Sequence, residues 1–256
     1  MTTTPSPAYG RPDIDGDMRR LWEVFTSGGI AIIPSGLGYG IAGGSKEAVQ
    51  LINETKARGK HKRNGMFMGE RGAREILVLG QREWDIIDCV TKDYDLPLGV
   101  VAPYRPEHPL IQKLDPELLE LCTARGTIGT AFNEGSPIQD QLADLAYDNV
   151  YPICGSSANM SGTGVKYRVE DIEPPVVAIA DLVLDYGLCR YYKEKVATTQ
   201  INFATMQLTR WGACFDLIAD LLKRHFGIEL PPDPGREANL NGHVNEFALL
   251  EPEPAE

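Results

Sequence analysis

The chain has 256 residues, 43% of them hydrophobic and 24% charged, which is the ordinary composition of a globular domain with a substantial core. No apolar run approaches the roughly 20 residues that a membrane-spanning helix needs, so we expect no membrane partner. The formal net charge of −11 disfavours RNA or DNA binding by general charge attraction, because that affinity comes largely from neutralising phosphates.

The cysteines also exclude classes of site. Five are scattered along the chain and none forms a C-x-x-C pair, so the sequence predicts neither a zinc site nor a disulfide framework, and no metal-ligand set. The first residues lack the basic and apolar regions of a secretory signal. We therefore predict a protein of the reducing cytoplasm.

Composition divides the chain into three parts. Residues 1–13 are predicted to form a flexible leader, and residues 14–230 a single domain without internal repeats. Residues 231–256 carry six carboxylates, five prolines and one arginine, which predicts an acidic, Pro-rich tail with little packed structure.

The domain begins with a helix over residues 14–27 and a buried strand over 30–33, followed by a glycine-rich turn at 35–38. A second helix follows over 45–58, with Ser45 as its N-cap. Further strands are predicted at 66–68, 76–79, 96–102, 127–132, 150–154 and 198–203. Further helices are predicted at 82–89, 116–125, 139–147 and 215–226.

Two segments carry groups suited to an anion. Lys56 and Arg58 stand two residues apart near the end of the second helix, at the start of a basic run that ends at Arg63. Ser157 and Asn159 lie in a Gly-Ser-Ser-Ala-Asn turn after a predicted strand. Taken singly, the first is also typical of a solvated basic turn and the second of a turn that satisfies its own backbone.

Together these segments resemble a known family. The pattern G-G-I-x-I-I-P-S-x-x-x-Y-G-I, then K-A-R, then S-S-A-N-M-S-G is similar to the YrdC-type family, which contains the threonylcarbamoyl-adenylate synthases of tRNA modification. The resemblance spans roughly Leu21 to Ile228. It implies an α/β fold with an open, twisted, mixed β-sheet, surrounding helices and a concave ligand cleft.

The resemblance also implies a reaction. Bicarbonate and an amino acid, threonine or a related one, form a carbamate that attacks ATP, with Mg²⁺ present, to give a carbamoyl-adenylate and pyrophosphate. A downstream transferase would take the product. The implied site comprises Lys56 and Arg58 as catalytic and nucleotide-binding residues; Ser157, Asn159, Thr199 and Arg210 as further nucleotide-binding residues; and Ser35, Tyr39 and Ser161 on the amino-acid side.

The sequence departs from the family in three places. Leu37 replaces a second threonine of the family's turn, residues 96–99 lack its P-G-P-[ST]-like element, and the strand at 127–132 lacks an arginine that reaches the nucleotide phosphates. Three hypotheses therefore stay open. They are a synthase acting on threonine, the same chemistry on another acceptor in specialised metabolism, and a non-catalytic protein that binds a nucleotide or RNA.

Overall fold

The computed structural model describes residues 2–4, 11–59 and 62–235. The α-helices are α1 (Ile14–Thr26), α2 (Lys46–Thr55), α3 (Glu70–Ile76), α4 (Gln81–Asp88), α5 (Pro109–Gln112), α6 (Pro116–Cys122), α7 (Pro137–Asp148), α8 (Pro174–Ala178) and α9 (Phe215–Leu221). The strands are β1 (Thr2–Thr4), β2 (Ile30–Pro34), β3 (Tyr39–Gly43), β4 (Gly65–Met66), β5 (Leu98–Pro103), β6 (Thr123–Ala124), β7 (Thr127–Phe132), β8 (Cys154–Ser157), β9 (Leu182–Leu184), β10 (Gln200–Asn202) and β11 (Gln207–Arg210). Short π-helical turns at Cys89–Asp93 and Leu222–Phe226 extend α4 and α9, and Val169–Asp171 forms a 3₁₀ turn.

The strands form two open, mixed sheets. The first has the order β1-β9-β2-β3-β8-β4, with β9 parallel to both of its neighbours and the other pairs antiparallel. The second has the order β11-β10-β5-β7-β6, with β10 parallel to β5 and the other pairs antiparallel. The predicted mixed α/β class and open sheet are confirmed, and the strands are divided between two sheets.

Strand β2 lies at the centre of the first sheet and is buried on both faces. Ala31 and Ile33 pack with α1 and α7, whereas Ile30 and Ile32 pack with α2 and α8. Because successive side chains of a strand point to opposite faces, a strand covered on both sides reads as a continuous apolar run. This explains why the sequence predicted the strand so clearly.

Ser45 caps α2 as predicted: its hydroxyl accepts a hydrogen bond from the Ala48 amide at 3.1 Å. The strand predicted at 76–79 is wrong, because Ile76 ends α3 and only Leu77 makes an isolated bridge, to Tyr104. The strand predicted at 150–154 begins only at Cys154, since Val150 has the left-handed φ of 50° that ends regular extension.

The boundaries of the leader and the tail stay predictions. Thr2–Thr4 form an edge strand parallel to β9, and residues 1 and 5–10 of the leader lie outside the described residues. Of the tail, residues 231–235 are described and 236–256 are not. In the described ranges no helix combines the length and apolar character required to cross a bilayer.

Candidate functional site

A cleft of about 1210 Å³ opens between the two sheets. It is bounded by β3, β4 and β8 of the first sheet, by β7, β10 and β11 of the second, and by the chain that follows α2. The sheets come together where β4 passes β7: a Cβ placed on Gly65 would lie 3.7 Å from the Gly129 carbonyl oxygen. The sequence predicted a cleft against one sheet, and the structure forms it between two.

Lys56 lies at the base of the cleft, at the C-terminal end of α2, and is 1% exposed. Its ammonium donates to the Ser156 hydroxyl at 2.7 Å and to the Ser157 carbonyl, so two segments a hundred residues apart in sequence meet here. Burial, and next the nearby charges of Arg58 and Lys62, lower the pKa of Lys56 to about 6. A nearby anion favours the charged form of a lysine, so an anion in the cleft would raise this pKa.

Arg58 lies half-buried on the same side of the cleft. Its guanidinium donates to the Arg63 carbonyl at 2.6 Å and to the Lys62 carbonyl at 3.4 Å. These bonds fold the basic run back on itself, so that Lys62 and Arg63 line the cleft as well. Residues 60 and 61 of that run lie outside the described part of the chain.

The turn after β8 brings Ser157, Asn159 and Ser161 to the cleft. The Asn159 side chain donates to the Met160 carbonyl at 2.6 Å, but its buried Oδ1 has no hydrogen-bond partner, nor does the buried Ser161 hydroxyl. The Ser161 amide donates to the Lys56 carbonyl at 3.0 Å and fixes this turn to the end of α2. Buried polar atoms without partners are uncommon, and here they are available to a ligand.

Ser35 and Tyr39 are placed differently from each other. The Ser35 hydroxyl donates to the Gly38 carbonyl at 2.7 Å and accepts from the Leu37 amide at 3.1 Å, which closes the glycine-rich turn at the rim of the cleft. Tyr39 is fully buried, and its hydroxyl donates to the Gly187 carbonyl at 2.8 Å. Burial raises the pKa of the Tyr39 phenol, so this hydroxyl stays protonated and supports the fold beside the cleft.

Thr199, which the resemblance assigns to the nucleotide, does not line the cleft. Its hydroxyl is fully buried, donates to the Ala213 carbonyl at 2.8 Å and accepts from the Gly212 amide at 3.2 Å. Thr198 and Thr199 come immediately before β10, and side chains alternate along this extended stretch, so Thr198 and Gln200 line the cleft while Thr199 faces the core. Arg210 does line the cleft, and its Nε donates to the Thr198 carbonyl at 2.7 Å.

The sequence analysis named the basic run and Arg210 but missed two cations and the carboxylates of the cleft. Among the described residues, seven cations line it against three carboxylates: Lys56, Arg58, Lys62, Arg63, Arg125, Lys195 and Arg210 against Glu134, Asp140 and Glu229. The cleft is therefore strongly positive in a protein whose net charge is −11. No motif pointed to Arg125, Lys195 or Glu134, because their positions depend on loops between elements.

The missing strand arginine has no replacement within β7, where Ala131 and Gly129 line the cleft. Arg125 stands two residues before β7 and also lines the cleft, with the left-handed φ of 49°. Together with Arg210 it supplies guanidinium groups on the side of the second sheet. Such groups suit phosphate oxygens because their planar forks donate in pairs.

The described residues contain no group of three or more His, Cys, Asp or Glu side chains that could hold a metal ion. Glu134 and Asp140 offer carboxylate oxygens in the cleft, but they do not form such a group. Mg²⁺ commonly binds through substrate phosphates and waters with one or two carboxylates. The donor set therefore fits Mg²⁺ that arrives with a nucleotide better than an ion that resides in the protein.

No protein-family model matches the chain, and no curated protein sequence does either. Solved structures do match. Sua5 from P. abyssi, complexed with L-threonine, has a TM-score of 0.67 and 18% identity, over 88% of this chain and 61% of that one. The hypothetical protein smu.1377c from Streptococcus mutans UA159 has a TM-score of 0.68 and 20% identity, over 82% and 91% of the two chains.

A third match is full-length HypF in its phosphate- and nucleotide-bound form, with a TM-score of 0.56 and 17% identity over 75% of this chain and 28% of that one. The chain thus spans less than two thirds of the Sua5 and HypF chains that it matches. The likeness confirms at the level of the fold the resemblance seen in the sequence. The chain has a Sua5/YrdC-type fold, with a sequence that is far diverged from the proteins that share it.

Proposed function

We propose that the protein is a nucleotidyltransferase-type enzyme that forms a carbamoyl-adenylate from ATP, bicarbonate and an amino acid. The observation that carries this proposal is the cationic cleft in which Lys56, Arg58, Ser157 and Asn159 meet. Two structural neighbours support it: Sua5 was solved with L-threonine, and HypF with phosphate and nucleotide.

The arrangement suits the reaction because no side-chain nucleophile is needed. A carbamate oxygen attacks the α-phosphorus of ATP and pyrophosphate leaves, so negative charge moves between phosphate oxygens. Lys56 and Arg58 neutralise that charge from one side of the cleft, and Arg210 does so from the other. The turn that carries Ser157 and Asn159 holds the adenylate in line for attack.

A specific observation favours an acceptor other than threonine. The Ser35 hydroxyl is committed to the Leu37 amide and the Gly38 carbonyl, and Leu37, where the resemblance expects a threonine, is a 3% exposed apolar side chain that lines the cleft. This turn therefore offers a substrate alcohol no free hydroxyl donor, and at most the second lone pair of the Ser35 oxygen. An amino acid with an apolar side chain suits it better, since an unpaired buried hydroxyl costs binding energy.

The test begins with calorimetric titration of ATP and Mg²⁺ into the protein, followed by a pyrophosphate-release assay with bicarbonate and each of the common amino acids. We expect ATP to bind, and we expect the release of pyrophosphate to require both bicarbonate and one amino acid. Lys56→Gln should abolish release, whereas Lys113→Gln, the same substitution at an exposed lysine that does not line the cleft, should not.

The outcomes separate the three hypotheses. Release with threonine supports a threonylcarbamoyl-adenylate synthase that serves a downstream transferase in tRNA modification. Release with another amino acid supports the same chemistry in specialised metabolism. ATP or RNA binding without amino-acid-dependent release under any condition would refute the enzyme and leave a binding protein.

A further inference from the structure

Glu134 is an acidic residue in a cleft otherwise suited to phosphate. It follows β7 in the loop that leads to α7, and its side chain lines the cleft. Its carboxylate accepts a hydrogen bond from the Thr198 hydroxyl at 2.8 Å. Neither the sequence motifs nor the resemblance assigned it a role.

Glu134 connects the two halves of the proposed site. Its carbonyl oxygen accepts from the Gly36 amide at 2.7 Å, so its backbone holds the glycine-rich turn on the amino-acid side. Its carboxylate is bonded to Thr198, whose carbonyl accepts from Arg210 on the nucleotide side. The carboxylate thus lies between the two places where the substrates are proposed to bind.

A carboxylate in this place is unfavourable for ATP alone, because like charges in a partly desolvated cleft repel each other. It is favourable for the amino acid, whose ammonium group must approach bicarbonate and the α-phosphate. Burial raises the pKa of Glu134, and the nearby Asp140 carboxylate acts in the same direction, whereas Thr198, Gln139 and the Arg210 guanidinium lower it. A carboxyl group with a raised pKa is a better proton acceptor than an ordinary one.

We propose that Glu134 binds the ammonium group of the amino-acid substrate and accepts one proton from it. This inference rests on the proposed function and adds to it a residue for the first chemical step. It also defines the acceptor as a compound with a free primary amine.

The ammonium R–NH₃⁺ gives one proton to the Glu134 carboxylate, leaving R–NH₂ with a free electron pair. That pair forms the N–C bond with bicarbonate, and R–NH₂ plus HCO₃⁻ becomes R–NH–COO⁻ plus H₂O. The proton on Glu134 passes to solvent before the next turnover, and no oxidant or further reactant is required.

The experiment compares wild type with Glu134→Gln, which keeps the shape and can still accept from Thr198. Glu120→Gln is the matched control, because it is the same substitution at an exposed glutamate of α6 that does not line the cleft. For each protein, the amino-acid KM and the pH dependence of kcat/KM between pH 6 and 9 are measured, together with the Kd of ATP with Mg²⁺. Thermal unfolding of each variant verifies its fold.

We expect Glu134→Gln to raise the amino-acid KM about tenfold or more. The pH at which kcat/KM rises should move toward the pKa of the free amine. The affinity for ATP should stay the same or increase, and Glu120→Gln should resemble wild type. An amino-acid KM and pH profile unchanged in Glu134→Gln would overturn the inference. So would a parallel loss of ATP affinity, which indicates a purely structural bridge to Thr198.

A failure of the proposed function can be distinguished from a failure of the Glu134 inference. If no amino acid supports pyrophosphate release in wild type, binding of amino acids and of simple primary amines is measured by calorimetry instead. Amine binding that is lost in Glu134→Gln would then support the Glu134 assignment without the enzyme. No amine binding by wild type would overturn both.

Discussion

Lys56 gives the sharpest prediction, because its charge should depend on whether an anion occupies the cleft. With a pKa of about 6 in the empty cleft, Lys56 is about 1% protonated at pH 8 and half protonated at pH 6. If ATP binds only the ammonium form, its affinity falls in proportion to that fraction. The expected change is about 50-fold tighter binding at pH 6 than at pH 8, or about 2.3 kcal/mol.

The assay is calorimetric titration of ATP and Mg²⁺ at several pH values between 6 and 8, in buffers that differ in ionisation enthalpy. Wild type should take up about one proton for each ATP bound at pH 8. Lys56→Gln should lose this uptake, and any pH dependence that remains belongs to ATP itself. Equal pH slopes in the two proteins would refute the assignment of a neutral Lys56 to the empty cleft.

The same pKa has a consequence for stability. Lys56 carries its proton in the unfolded chain up to about pH 10.5 and loses it on folding above about pH 6, so the unfolded state binds more protons in that window. The free energy of unfolding should therefore rise with pH between about 6 and 10. In Lys56→Met this contribution is absent, and thermal unfolding at pH 6.5 and 8.5 should differ less than in wild type.

Three further substitutions test the placement of residues around the cleft. Thr199→Val removes the acceptor of the Gly212 amide, so the free energy of unfolding in urea should fall by about 1–3 kcal/mol. The affinity for ATP should not change. A selective loss of ATP binding would contradict the core position of this hydroxyl. Tyr39→Phe should likewise lower the free energy of unfolding by about 1–3 kcal/mol, because the Tyr186 amide donates to the phenol at 3.0 Å and would lose its acceptor. An unchanged midpoint of urea unfolding would count against that hydrogen bond. Gly36→Ala places a Cβ 2.2 Å from the Glu134 carbonyl oxygen, so the turn must move. We expect about 1–3 kcal/mol of destabilisation and weaker amino-acid binding than in wild type, and an unchanged amino-acid affinity would contradict this.

The sequence by itself determined the elements whose signals are local. The run at 30–33 predicted β2 because burial on both faces requires apolar residues throughout, and the strand predicted at 127–132 coincides with β7. Ser45 predicted the start of α2 because a cap depends only on the next few residues. The Lys-x-Arg and Ser-Ala-Asn motifs pointed to the fold because their spacing is specific.

Only the tertiary structure decided which side chains reach the cleft. Thr198 and Thr199 are neighbours with the same side chain, but the Thr198 hydroxyl donates to Glu134 in the cleft whereas the Thr199 hydroxyl bonds to Ala213 and Gly212 in the core. The positive charge of the cleft was hidden in a net charge of −11, because its cations come from segments far apart in sequence. Glu134 had no motif at all, since its place depends on two contacts across the fold, with Gly36 and Thr198.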